Sequence, residues 1–132
     1  MKRNVFDASA IITFLRNRPG AEKVEALLNG ATKGERELYL SVVNWGEIYY
    51  TIWRANGEKA AQQVAFEIAQ MPIRIADVGI ELTKIASHFR AESKLPYADC
   101  FVAAIAKLMN AEVVTADQDF LMVNQQVNVT FI

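Results

Sequence analysis

An α/β sandwich, with a central parallel sheet of about five strands and helices on both faces, is the fold class the sequence predicts. Short apolar segments rich in β-branched residues alternate with longer stretches of helical periodicity along the whole chain. Strands joined by helical crossovers run parallel, and a parallel sheet needs cover on both faces. A chain of 132 residues that is 52% hydrophobic can bury one sizeable core and contains no linker, so one domain over residues 1–132 is expected.

The first strand is NVFD (4–7), and SAIITFLR (9–16) follows it with helical apolar spacing. Pro19 is expected to open a second amphipathic helix that closes at Gly30, the proline-first and glycine-last placement of helix ends. After the polar ATKGER loop, LYLSVV (38–43) reads as the second strand. Helices are expected from Asn44 to Asn56 and from Glu58 to Gln70, parted by Gly57, and IRIADV (73–78) reads as the third strand. Two more helices fall at 79–93 and 96–110, and EVVT (112–115) and VNVTFI (127–132) complete the sheet. There is no internal repeat and no low-complexity segment.

Charge and composition narrow the function. The formal net charge is -1, from 14 basic and 15 acidic residues, so no global field draws the chain to nucleic acid and any such binding needs a local basic patch. Cys100 is the only cysteine, which excludes an internal disulfide; with Phe101 and Val102 beside it, a buried thiol in a reducing cytoplasm is expected. Lys2 and Arg3 before an apolar run imitate a secretory signal, but Asp7 interrupts the run and no small-residue cleavage site precedes RNRPG. No run approaches the ~18 to 20 apolar residues of a membrane span, so a soluble protein is expected.

The acids carry the chemistry. Crossover helices run antiparallel to the strands they join, so helix N-termini share a sheet edge with strand C-termini, where open α/β sheets bind ligands. Asp7 ends the first strand, Asp117 follows the fourth, Glu47 is expected in the first turn of the helix begun by NWGEIYY, and Asp99 in the first turn of PYADCFVAAIAKLMN. Each has a structural alternative: Asp7, Asp117 or Asp119 as caps, Glu47 as the partner of Asn44 in a capping box, Asp99 as complement to a helix dipole. Asp99 fits its alternative poorly, because the 97–109 helix is apolar nearly all round and a buried carboxylate asks for a cation. In EVVTADQDF the neighbouring Asp117 and Asp119 ask the same. Carboxylates without His or Cys favour Mg²⁺ or Mn²⁺.

These residues carry a family resemblance. DASAIITFL, SVVNWGEIYY and LPYADCFVAAIAKLMNAEVVTADQDF, in a chain of this length, resemble a PIN-domain nuclease of the VapC type, the toxin of prokaryotic toxin-antitoxin pairs. The resemblance extends over essentially the whole chain and places the family's four acids at Asp7, Glu47, Asp99 and Asp117. It implies Asp7, Asp99 and Asp117 as ligands of one or two Mg²⁺ or Mn²⁺ ions, and Glu47 as holder of a second ion or of the attacking water. Asp119 matches a further acidic position near the metal, and Ser9 and Thr115 match hydroxyls that orient the carboxylates. The implied activity is endoribonuclease hydrolysis of RNA phosphodiester bonds, leaving 5′-phosphate and 3′-hydroxyl ends. The implied partners are a small VapB-like antitoxin and a second copy of the chain. RNA is expected to meet Arg16, Arg18, Arg54, Arg90 and Lys94, each of which also suits ordinary helix surface. The stretch from Ala55 to Glu92 carries no motif, and substrate choice is expected to reside there.

Other classes are less well matched. A receiver domain wants an acid pair after the first strand and a lysine after the last, whereas Ala8 follows Asp7; an aspartate-nucleophile phosphatase wants an aspartate where Ser9 stands. A non-catalytic binding module of the same fold is expected to have lost one of the four acids, and a housekeeping RNA-processing nuclease to keep them. His88, the only histidine, falls in mid-helix away from the acidic edge. Trp45, Tyr49, Tyr50 and Trp53 share one helix, where core or a protein interface is expected before base stacking.

Overall fold

The computed structural model describes residues 1–132. Its elements are β1 (Lys2–Phe6), α1 (Ala8–Leu15), α2 (Ala21–Thr32), β2 (Arg36–Ser41), α3 (Val42–Asn56), α4 (Glu58–Gln70), β3 (Arg74–Ala76), α5 (Ile80–Glu92), α6 (Tyr97–Met109), β4 (Glu112–Thr115), a 3₁₀ helix (Gln118–Val123) and β5 (Val129–Phe131). The five strands form one sheet in the order β3-β2-β1-β4-β5, and every neighbouring pair is parallel. Phe6 of β1 is in register with Leu40 of β2 and with Val114 of β4.

Alternation along the strands divides the core. Val5, Tyr39 and Val113 point to the face covered by α5 and α6, where Leu82, Phe89, Leu95 and the run from Cys100 to Ala106 are buried. Phe6, Leu38, Leu40 and Val114 point to the other face, against Ile11, Val24, Leu28, Ile48, Ile52 and Ile68 of α1 to α4. Because α6 is the helix laid over the sheet centre, residues 99–106 are buried all round, which is why its sequence lacks an amphipathic stripe.

Several element ends differ from the sequence reading. Val42 and Val43 are not the end of β2 but the first turn of α3, because Ser41 caps that helix by accepting from the Asn44 N–H at 3.0 Å. Glu47 therefore lies beyond the first turn, and Asn44 is not the cap of a capping box. Pro19 precedes rather than opens α2, whose cap is Gly20 in the left-handed region at φ 102°. Gly30 does not close that helix, which runs on to Thr32; a Cβ at Gly30 would lie 3.3 Å from Nε of the Arg36 side chain. β3 and β5 are shorter than expected, each three residues on a sheet edge where one side of the strand has no partner. No helix is long and apolar enough to cross a membrane.

Candidate metal centre

β1 lies at the centre of the sheet, and the chain passes first to β2 on one side and later to β4 on the other. The crevice beyond the C-terminal ends of β1 and β4 is thus the topological switch point, where loops diverge and open a cleft. Asp7 leaves β1 there, and Asp117 leaves the turn after β4. α6 passes over the sheet with its N-terminal turn, and Asp99, at the same edge.

Asp7 is 1% exposed and anchored by several donors. The Ala10 N–H donates to Oδ1 at 2.9 Å, so Asp7 does cap α1. The Ser9 hydroxyl lies 2.7 and 2.8 Å from the two carboxylate oxygens, and the Thr115 hydroxyl donates to Oδ2 at 2.5 Å. Ser9 Oγ also accepts the Ala116 N–H at 2.9 Å, and Thr115 Oγ1 accepts the Asp117 N–H at 2.8 Å. Two hydroxyls thereby tie the end of β1, the start of α1 and the loop after β4 into one rigid corner. Burial nevertheless pushes Asp7 up to about 6, against the pull of the Thr115, Ser9 and Ala10 donors.

Asp117 caps the 3₁₀ helix, accepting the Asp119 N–H at 2.9 Å. The cap brings Asp119 round to face Asp99, and carboxylate oxygens of Asp99, Asp117 and Asp119 lie within 4.8 Å of one another. Asp99 is pushed up to about 8, first by burial and then by the charges of Asp7, Glu47, Asp117 and Asp119. Glu47, half-buried on α3, is also raised, mainly by burial, against the Asn44 donor. No Lys, Arg or His pairs with any of these five acids; the chain's ion pairs are Arg3 and Arg74 with Glu37, and His88 with Glu92. A group of carboxylates, two of them buried and three half-buried, with no internal cation is a donor set for a hard divalent ion.

Asn44, which the sequence suggests only as a cap, also contacts the site. It is fully buried; its amide donates to Glu47 Oε1 at 2.9 Å and to the Ala98 carbonyl at 3.3 Å, and it meets the Ser41 hydroxyl. It therefore joins the acid of α3 to the turn of α6 that carries Asp99. The signal was Ser41 three residues ahead of Asn44, which moves the cap and frees the amide.

Among the basic candidates, Arg16 and Arg18 line a groove that reaches Ser9 and Asp117. Arg54 instead sits over the Tyr50 ring at 5.2 Å, Arg90 donates to the Ser93 carbonyl at 3.1 Å, and Lys94 is exposed in the loop before α6. His88 is exposed on α5 beside Glu92.

A doubly covered parallel sheet with a carboxylate cluster at its switch point defines a class of α/β proteins with an acidic, metal-capable centre. The PIN domain matches residues 5–125, and the chain belongs to that family. Among solved structures, DNA-bound VapBC from Salmonella typhimurium is similar at a TM-score of 0.76 and 15% identity, over 99% of this chain and 98% of that one. FitAcB from Neisseria gonorrhoeae is similar at 0.72 and 23% identity, over 98% and 96% of the two chains. The sarcin-ricin loop cleaving toxin VapC20 of Mycobacterium tuberculosis is similar at 0.72 and 17% identity, over 89% and 92%. A comparison with curated protein sequences gives no match.

Proposed function

We propose that this protein is a metal-dependent endoribonuclease acting as the toxin of a toxin-antitoxin pair. The observation that carries the proposal is the group of Asp99, Asp117 and Asp119, close enough to share one ion, beside Asp7 and Glu47 and without a basic side chain to neutralise any of them. The donor set fits Mg²⁺ or Mn²⁺ held by Asp99, Asp117 and Asp119, with Asp7 supplying its one remaining lone pair. Such an ion would acidify a bound water, neutralise the phosphate and stabilise the leaving oxygen. The protein's own part is placement. Ser9 and Thr115 fix the Asp7 carboxylate; Asn44 fixes Glu47, whose free oxygen is left to orient the attacking water and accept its proton. Asp7 and Asp117 are joined through Ser9 and Thr115, and Glu47 is held separately by Asn44, so these three acids are positioned by the chain's own hydrogen bonds.

The toxin role is supported by the similarity to chains from VapBC and FitAcB assemblies, and the partner proposed is a small VapB-like antitoxin. Tyr50 and Trp53 of α3 and Phe66 of α4 are 49%, 44% and 62% exposed and suit either that contact or a homodimer. The cytoplasm is the proposed location, consistent with the buried free thiol of Cys100.

Purified protein is expected to cut RNA with added Mg²⁺ or Mn²⁺ and to stop in excess chelator; cleavage undiminished by chelator would sink the proposal. Expression without a partner is expected to arrest bacterial growth, and Asp7→Ala to abolish the arrest. Equal arrest by a soluble Asp7→Ala protein would exclude the nuclease mechanism. A short reading frame directly upstream, encoding a small DNA-binding protein, would distinguish the toxin from an RNA-processing nuclease of the same fold.

A further inference from the structure

Beside the acidic centre, a groove of about 450 Å³ runs between α1 and α3, with Ser9 and Asp117 at its inner end, Thr13 and Thr51 along it, and Arg16 and Arg18 at its outer end. The two arginines are placed by backbone. Asn17 takes the left-handed region at φ 48°, its N–H donates to the Phe14 carbonyl at 3.1 Å, and the Arg18 N–H donates to the Thr13 carbonyl at 3.0 Å. Those two bonds are the Schellman closure of a helix, with asparagine in the one position that requires a left-handed residue. The turn presents Arg16 and Arg18 on a fixed corner, and neither guanidinium is in an ion pair.

The threonines are the second observation. Thr13 is only 5% exposed, yet it lines the groove, and no group of the chain engages its hydroxyl. Since no fully buried polar side-chain atom lacks a partner, that hydroxyl reaches the groove. Thr51 stands on the α3 wall with its hydroxyl equally free. A groove that is acidic at one end, cationic at the other and lined with free hydroxyls between does not suit a simple anion. It suits a nucleotide, with the scissile phosphate at the acidic end and the next phosphate at the cationic end. The seven steps from Ser9 to Arg16, at ~1.5 Å each, set the two ends ~10.5 Å apart along the helix, and arginine side chains shorten the gap.

We propose that this groove seats the nucleotide flanking the scissile phosphate of single-stranded RNA, its far phosphate on Arg16 and Arg18 and its ribose against Thr13 and Thr51. A threonine hydroxyl both donates and accepts, as a 2′-hydroxyl does, and the 2′-hydroxyl is what separates RNA from DNA at a protein site. A base stacked within a duplex cannot enter such a groove, whereas a splayed one can. The inference deepens the nuclease reading and rests on it. It also places the discrimination of RNA from DNA on α1 and α3.

The test is fluorescence anisotropy of a labelled single-stranded oligoribonucleotide and its deoxy counterpart on Glu47→Gln protein in Mg²⁺, across a salt series. Adding Arg16→Gln and Arg18→Gln is expected to weaken both oligomers and to reduce the salt slope by ~0.7, the value of one single-strand phosphate contact. Adding Thr13→Val and Thr51→Val is expected to weaken the oligoribonucleotide about tenfold, as two lost hydrogen bonds imply, with little change for the deoxy oligomer or the slope. Thr13→Ser with Thr51→Ser, which restores the hydroxyls, is expected to restore RNA affinity and so exclude misfolding as the cause. An unchanged salt slope in the arginine variant, or equal threonine effects on both oligomers, would overturn the proposal. Wild-type cleavage of RNA alongside either result would leave the nuclease standing and remove only the groove. Groove-dependent binding without cleavage under any metal would do the reverse.

Discussion

Asp99 is the residue at which stability and the proposed chemistry oppose each other. Helix α6 buries its carboxylate beside four others without a cation, and burial first, then their charges, push it up to about 8. Asp99→Asn keeps the shape and removes one charge, so without metal it is expected to melt at the wild-type temperature or higher. The same change is expected to shrink the stabilisation by Mg²⁺, which by linkage reaches ~2.7 kcal/mol at a hundred times the dissociation constant. Melting in chelator and in Mg²⁺ decides it, and an undiminished Mg²⁺ shift would remove Asp99 from the metal centre. Thr115 shows the opposite logic. Its hydroxyl serves both Asp7 and the Asp117 N–H in a site with no exposure, so Thr115→Val removes the partner of the Asp117 N–H and one of the donors to Asp7. A loss of ~1 to 3 kcal/mol is expected in urea unfolding, and a wild-type midpoint would show that water replaces the hydroxyl.

At the scale of elements, helix starts deliver the acids, and each start has a specific cap. Asp7 caps α1, Ser41 caps α3 and Asp117 caps the 3₁₀ helix. Two of those caps are acids of the site itself, so capping and candidate catalysis use the same carboxylates. Ser41 separates the roles, because it touches no acid directly but fixes the turn from which Asn44 reaches Glu47. Ser41→Ala is expected to cost ~1 kcal/mol by denaturant titration, and within ~2, as caps do. It is also expected to lower kcat more than it raises KM for RNA, since it loosens Glu47 rather than the nucleotide groove. The α1 closure at Asn17 works likewise for Arg16 and Arg18.

For the whole molecule, the acidic centre sets how stability follows pH. Asp7 and Asp99 rise from 3.8 to about 6 and about 8 on folding, so the folded state holds protons that the unfolded chain releases. For such groups the contribution to stability is fully present below the unfolded value and is lost as pH rises through the folded ones. Metal-free protein is therefore expected to melt progressively lower between pH 5 and pH 9, following the two values at about 6 and about 8. Mg²⁺ binds the ionised carboxylates and is expected to flatten or invert that slope. A metal-free melting temperature that climbs over this interval would show that some cation of the chain already neutralises the cluster.

The sequence alone determined the alternation of strands and helices, because periodicity is a local property and a parallel sheet follows from it. It also determined that Asp7 and Asp117 share an edge, since both follow strands that must run the same way. The apolar run around Asp99 announced burial for the same local reason. Tertiary structure decided what depends on residues distant in the chain. Val42 and Val43 carry strand propensity, yet they form the first turn of a helix that Ser41 caps. Asp119 turns toward Asp99 because Asp117 caps the intervening turn, and the strand order puts β1 beside β4 so that Thr115 can reach Asp7 across 108 residues. The groove with its free threonine hydroxyls exists only where α1 and α3 pack side by side. Spacing along a chain states which residue types occur; which carboxylates meet, and which hydroxyls stay free, is fixed when helices and strands dock.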